Sequence, residues 1–146
     1  MITFGDLEED RKFDKRKVAE ANEVQSQKYG FWADKYAQAK TELDRAKANY
    51  DAVVATRALY YRRNPPTDIK MTEAVIEALV TADREVIDAR DAVVVAQEAV
   101  NTYYAAVSSI QDVRSSIDNQ VKLDVNRFYG EQDRDVTRDK LNGRKE

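Results

Sequence analysis

The residues with chemistry to offer are concentrated in Arg57-Ala-Leu-Tyr-Tyr-Arg-Arg63 and the segment Asn64-Pro65-Pro66-Thr67-Asp68-Ile69-Lys70 that follows. Between Ala55 and Met71 the cations Arg57, Arg62, Arg63 and Lys70 face only Asp68. Such a local excess of positive charge suits phosphate contact, and the rings of Tyr60 and Tyr61 suit stacking on unpaired bases. A second use competes with the first. Arginines in the last turn of a helix stabilise the negative end of its dipole, and tyrosines there pack as core. Arg57 weighs toward a specific role, because it interrupts an otherwise apolar seam and there needs a partner or a ligand. Asp124, or another carboxylate on a seam, is the candidate partner.

Nothing else in the chain assembles into a reactive constellation. Histidine and cysteine are both absent. That removes Ser-His and Cys-His nucleophiles, histidine-containing zinc sites and the Glu-x-x-His motif of di-iron bundles. No Walker loop occurs, and no nucleophile stands beside a base. The expectation is a protein that is not an enzyme and holds no cofactor or metal. Asp83-Arg84-Glu85 and Asp88-Ala89-Arg90-Asp91 read as solvated helix faces.

The elements that must position the basic segment are long helices. Pro65-Pro66 cannot continue a helix, since it removes two N–H donors and pushes Asn64 out of the α region. Before it, from about Asp14, Gly30 is the one breaker. A heptad runs Tyr29, Trp32, Tyr36, Ala39, Leu43, Ala46, Tyr50, Val53, Arg57, Tyr60, which keeps one seam toward a partner helix. Beyond the prolines, with Thr67, Asp68 or Thr72 as N-cap, a second seam reads Val75, Leu79, Ala82, Val86, Ala89, Val93, Ala96, Val100, Tyr103, Val107, Ile110, Arg114, Ile117, Val121, Asp124, Phe128. Tyr29, Tyr36, Tyr50 and Tyr103 occupy seam positions and are expected in the core. Asp6-Leu-Glu-Glu-Asp-Arg-Lys12 has the makings of a short helix.

The predicted fold is therefore all-α: a long antiparallel helical hairpin with coiled-coil-like seams, helical over roughly 14–62 and 69–128. Residues 1–130 form a single helical domain with its bend near 63–70, and 131–146 a charged, flexible tail. Ile76, Ile87, Val94 and Val95 widen the apolar stripe of the second arm beyond what one partner helix covers, which points to a homo-oligomer.

Composition agrees. The 146 residues are 42% hydrophobic and 35% charged, with four glycines and two prolines, a profile of long helices. There is no 18-residue apolar run and no leader with an apolar core, so neither a membrane span nor secretion is expected. The lack of cysteine is compatible with a reducing cytoplasm. A formal net charge of −3 gives no chain-wide attraction to nucleic acid, so any such binding must be local or shared among copies.

The stretch from Tyr29 and Trp32, through Lys40, Glu42, Leu43 and Arg45, to Arg57 and Tyr60-Tyr61 resembles phage recombination mediators of the UvsY type. A weaker block at Leu79-Val-Thr-Ala-Asp-Arg-Glu-Val-Ile87 is similar to that family's Ser-Ala-Asp-Lys-Asp-Val segment. The family's basic pair, Lys-x-Arg, lies just before the tyrosines; here the arginine is Arg57, and Ala55 stands at the lysine position. The resemblance implies a helical protein that binds single-stranded DNA, with Arg62 and Arg63 supplying the charge that Ala55 lacks. It also implies a ring of subunits and, as partners, a RecA-like recombinase and a single-strand-binding protein that the mediator helps to displace. The place of action would be the cytoplasm of a phage-infected host. The competing reading is a structural helical hairpin, for example a virion assembly or scaffolding component, with no nucleic-acid role.

Overall fold

A computed structural model describes residues 5–14 and 17–142, the side chains of Val18 and of 132–142 excepted. The described backbone is all-helical: α1 (Leu7–Asp10), α2 (Val18–Arg63), α3 (Glu73–Ala82) and α4 (Arg84–Asn142). α1 is the short helix expected from Asp6, whose carboxylate caps it by accepting from the N–H groups of Glu8 and Glu9. α2 ends at Arg63, one residue short of Pro65's restricted neighbour. There the N–H and side-chain amide of Asn64 both donate to the Tyr60 carbonyl, at 2.9 and 3.0 Å, satisfying an acceptor that the lost turn leaves open.

The second arm departs from its prediction in three ways. It starts at Glu73, capped by Thr72, whose hydroxyl accepts from the Val75 N–H. It is also two helices, not one, because the chain turns extended at Asp83 (φ −67°, ψ 133°). α4 then keeps a helical backbone to Asn142, past Phe128. Residues 143–146 and the side chains of 132–142 lie outside the described residues, so of the tail expected over 131–146 the structure describes the helical backbone of 131–142.

The chain divides into two compact units. One comprises residues 32–105 and contains the basic segment. In it α2 runs antiparallel to α4. Trp32 and Tyr36 meet Tyr103 and Tyr104, with ring centroids 6.3 and 5.9 Å apart. Ala39 and Leu43 pack with Val100, and Tyr50, Val53, Val54, Ala58 and Tyr61 with Ile76, Val80 and Val86. Partner numbers fall as α2 numbers rise, as in a hairpin. On α3 the buried positions are Ile76 and Val80, one residue out of step with the predicted Val75 and Leu79. The extended residue at 83 resets the helical phase, so one heptad cannot hold on both sides of it. Ile76 consequently belongs to the core and is not surplus, whereas Val94 and Val95 remain 52% and 64% exposed.

The other unit comprises residues 1–31 and 106–146. Its core on α4 is Ala106, Ile110 and Ile117, the last two with no exposed surface. Gln25 on α2, itself buried, donates from its amide to the Ile110 carbonyl at 2.7 Å. Lys28 donates to the Asp10 carbonyl at 2.9 Å, closing off one of the acceptors at the end of α1. Tyr29 differs from expectation in being 40% exposed.

Candidate nucleic-acid interface

The site is built on the last two turns of α2, the turn after it, and the break between α3 and α4. Asp83 is the residue that joins them. Its N–H donates to the Val80 carbonyl at 3.1 Å, closing α3, and its own carbonyl accepts from Ile87 at 3.0 Å, opening α4. The Oδ1 atom caps α4 by accepting from the Glu85 N–H at 2.9 Å. The other oxygen, Oδ2, accepts from Arg57 Nε at 2.7 Å, Arg57 Nη2 at 2.6 Å and the Tyr61 hydroxyl at 2.7 Å. The Asp83 side chain is only 5% exposed, so this carboxylate is desolvated and fully engaged.

That corrects two expectations. The partner of Arg57 is Asp83, not Asp124, and Asp83 is a buried cap, not part of a solvated face. The Tyr61 hydroxyl, followed by Arg57 and the Glu85 N–H, holds the Asp83 carboxyl below the usual carboxylate range against the opposing effect of burial. In turn, accepting this bond from Tyr61 makes Asp83 push the phenol above its ordinary value.

The other candidates divide by how fully they are engaged. Arg62, 49% exposed, pairs with Glu73 at 2.8 Å, an exposed contact worth little on its own. Arg63 and Lys70 are exposed and make no ion pair or side-chain hydrogen bond among the described residues. Tyr60 is 47% exposed. Its ring meets that of Tyr61 edge-on, with centroids 5.4 Å apart at 78°, and the Arg57 guanidinium carbon lies over it at 4.4 Å. Tyr60 and Arg63 are three residues apart on one helix and so neighbour each other on its surface. The segment 57–70 thus contains a tied pair, Arg57 and Tyr61, and an accessible set, Tyr60, Arg62, Arg63 and Lys70.

Chain-wide comparison adds the fold. Crystal structures of the recombination mediator protein UvsY of bacteriophage T4, in lattice types IV, I and II, superpose with TM-scores of 0.69, 0.69 and 0.67. The matches cover 83–85% of this chain and 92–95% of the UvsY chains. This chain has the UvsY fold. Identity over the matches to UvsY is 17–19%, so the likeness resides in helix lengths and packing. No protein-family model and no curated protein sequence matches the chain. Among the described residues no helix is long and apolar enough to cross a membrane, and no cluster of three or more acidic side chains is placed to hold a metal ion.

Sequence reasoning missed Asp83 as a site residue. A signal was present: the Leu79–Ile87 block is the second place where the chain resembles the mediators. An aspartate there also reads as a helix N-cap, although no proline or glycine marks the break.

Proposed function

We propose that the protein is a recombination mediator that binds single-stranded DNA at the bend of the 32–105 unit. In that role it helps a RecA-like recombinase load onto DNA covered by single-strand-binding protein. The observation that carries the proposal is the UvsY fold over 83–85% of the chain. The accessible set at the bend supports it. Arg63 and Lys70, with Arg62 able to exchange an exposed carboxylate for a phosphate, supply counterion release, and Tyr60 supplies a stacking surface.

The deciding experiment is titration with single-stranded and duplex oligonucleotides at several salt concentrations. A preference for the single strand is expected. Replacing Arg63 and Lys70 together by alanine should lower the salt slope by about 0.7 per lost phosphate contact. Tyr60→Ala should cost about 1–3 kcal/mol per stacked base. If wild-type protein shows no salt-dependent binding to single strands, the structural-hairpin reading replaces this one.

Assembly into a homo-oligomeric ring is part of the proposal. Val94, Val95 and Tyr104 on α4 leave more than half their surface to solvent, an apolar face that a second copy would cover. Introducing lysine at both valines is expected to shift sedimentation toward smaller species. A wild-type protein that sediments as a folded monomer at micromolar concentration rejects the ring.

A further inference from the structure

We infer that Arg57 is a positioning residue: tied to Asp83, it fixes the Tyr60 ring for a nucleobase and leaves phosphate contact to Arg63 and Lys70. The inference rests on the reading that the bend binds single strands. It is carried by how the guanidinium is engaged. Two of its three nitrogens, Nε and Nη2, are spent on one oxygen of Asp83, and the third, Nη1, lies 3.7 Å from Glu85 Oε1. The side chain is 21% exposed, so little of it faces an incoming strand.

A phosphate seeking Arg57 would have to take it from Asp83. That carboxylate is 5% exposed, and among the described residues no other cation pairs with it. Removing one partner of a buried pair leaves the other charge uncompensated, which is strongly unfavourable. Arg63 and Lys70 carry no such penalty, since both are solvated and unpaired among the described residues. A phosphate is therefore drawn to them.

What Arg57 does instead is visible in the rings. Its guanidinium lies 4.4 Å from the Tyr60 centroid and 5.4 Å from that of Tyr61. Tyr61 is fixed by its hydroxyl on Asp83 and presents an edge contact to Tyr60. Tyr60 is thus held on two sides while 47% of its surface stays open. A ring restrained before binding loses less freedom when a base stacks on it, so the Asp83–Arg57–Tyr61 group raises affinity through Tyr60 without touching the strand.

The test uses the full chain and two probes of equal length, an oligothymidylate and an abasic oligomer with the same phosphates. The ratio of their affinities reads base stacking, and the salt slope reads phosphate contact. Arg57→Ala is expected to lower the ratio toward that of Tyr60→Ala with the slope unchanged. Arg63→Ala and Lys70→Ala should each lower the slope by about 0.7 per contact and keep the ratio.

Arg57→Lys guards against a folding defect, with helicity and sedimentation confirming assembly. Lysine keeps the charge but lacks the planar fork, so it should lose the ratio as alanine does. Rescue of a reduced slope by lysine, with the ratio intact in both variants, would make Arg57 a phosphate ligand and overturn the inference. Equal binding of both probes by wild type, with the salt slope still present, removes base stacking and overturns it too. Absence of binding to either probe overturns the proposed function itself, and this inference with it.

Discussion

Truncation of Ile110 to alanine should destabilise the protein by about 2–5 kcal/mol, as deletion of fully buried aliphatic groups does elsewhere. Ile110 has no exposed surface, and on α4 it lies one turn after the buried Ala106 and two turns before the buried Ile117. Alanine at 106 offers no long side chain to swing into the space left behind. The backbone carbonyl of Ile110 also accepts from the buried Gln25 amide, so movement to close the cavity would strain a hydrogen bond that water does not replace. Denaturant unfolding should show the midpoint falling with an unchanged slope. Lys47→Ala, at an exposed site on α2, is the control and should stay within about 0.5 kcal/mol of wild type. Both should be measured at one protein concentration, because assembly would contribute to apparent stability. Equal midpoints for Ile110→Ala and Lys47→Ala would contradict the packing described.

Replacing Asp83 by alanine is the second large effect, and it falls on the bend. Three losses coincide: the cap of α4, the counter-charge of Arg57 and the acceptor of the Tyr61 hydroxyl. Arg57 would be left part-buried against two rings without its carboxylate. The expected result is a melting temperature well below that of Asp83→Asn, whose single carbonyl oxygen keeps one of the two acceptor roles, the cap of α4 or the bond from Tyr61, and gives up the other.

The same cluster predicts a pH response. Asp83 has its folded pKa depressed, so its contribution is present above the ordinary aspartate value near 3.9 and is lost as pH falls from there through the folded value. Tyr61 has its folded pKa raised, so its contribution is present below the ordinary tyrosine value near 10 and is lost as pH rises through the folded value. Stability from this cluster should be flat between about pH 4 and 10 and fall on either side. Asp83→Asn should abolish the acid-side loss relative to wild type, and Tyr61→Phe the alkaline one. An Asp83→Asn profile parallel to wild type below pH 4 would show that the carboxylate carries no linkage.

These expectations differ in how far the sequence anticipates them. The buried positions Trp32, Ala39, Leu43, Val86, Ala89, Val100, Ile110 and Ile117 lie on the two heptads, while Ala106, also buried, stands one residue before the expected Val107. Hydrophobic spacing along an unbroken helix is a local property, and the seam follows from it. The stop at Arg63 is equally local, imposed by Pro65 on the residue before it. The cations and tyrosines of 57–70 were also readable as a group, because their density is a matter of adjacency in the chain.

The division of that group was not readable. Arg57 called for a partner, yet its partner lies 26 residues away at a break that no proline or glycine announces. An aspartate followed by Arg84-Glu85-Val86 is compatible with a solvated helical face and with an N-cap alike. Packing makes the difference. Where α3 and α4 meet α2, a helix passing straight through residue 83 would bring Val75 and Leu79 inward. The extended backbone there turns Ile76 and Val80 to the core instead and delivers a carboxylate to Arg57 and Tyr61. The sequence by itself determined the helical arms, their seams, the bend and its positive charge, because each depends on neighbours within a few turns. Only the tertiary structure decided the phase of α3, the burial of Asp83 and which cations remain accessible, because those depend on contacts between residues far apart in the chain.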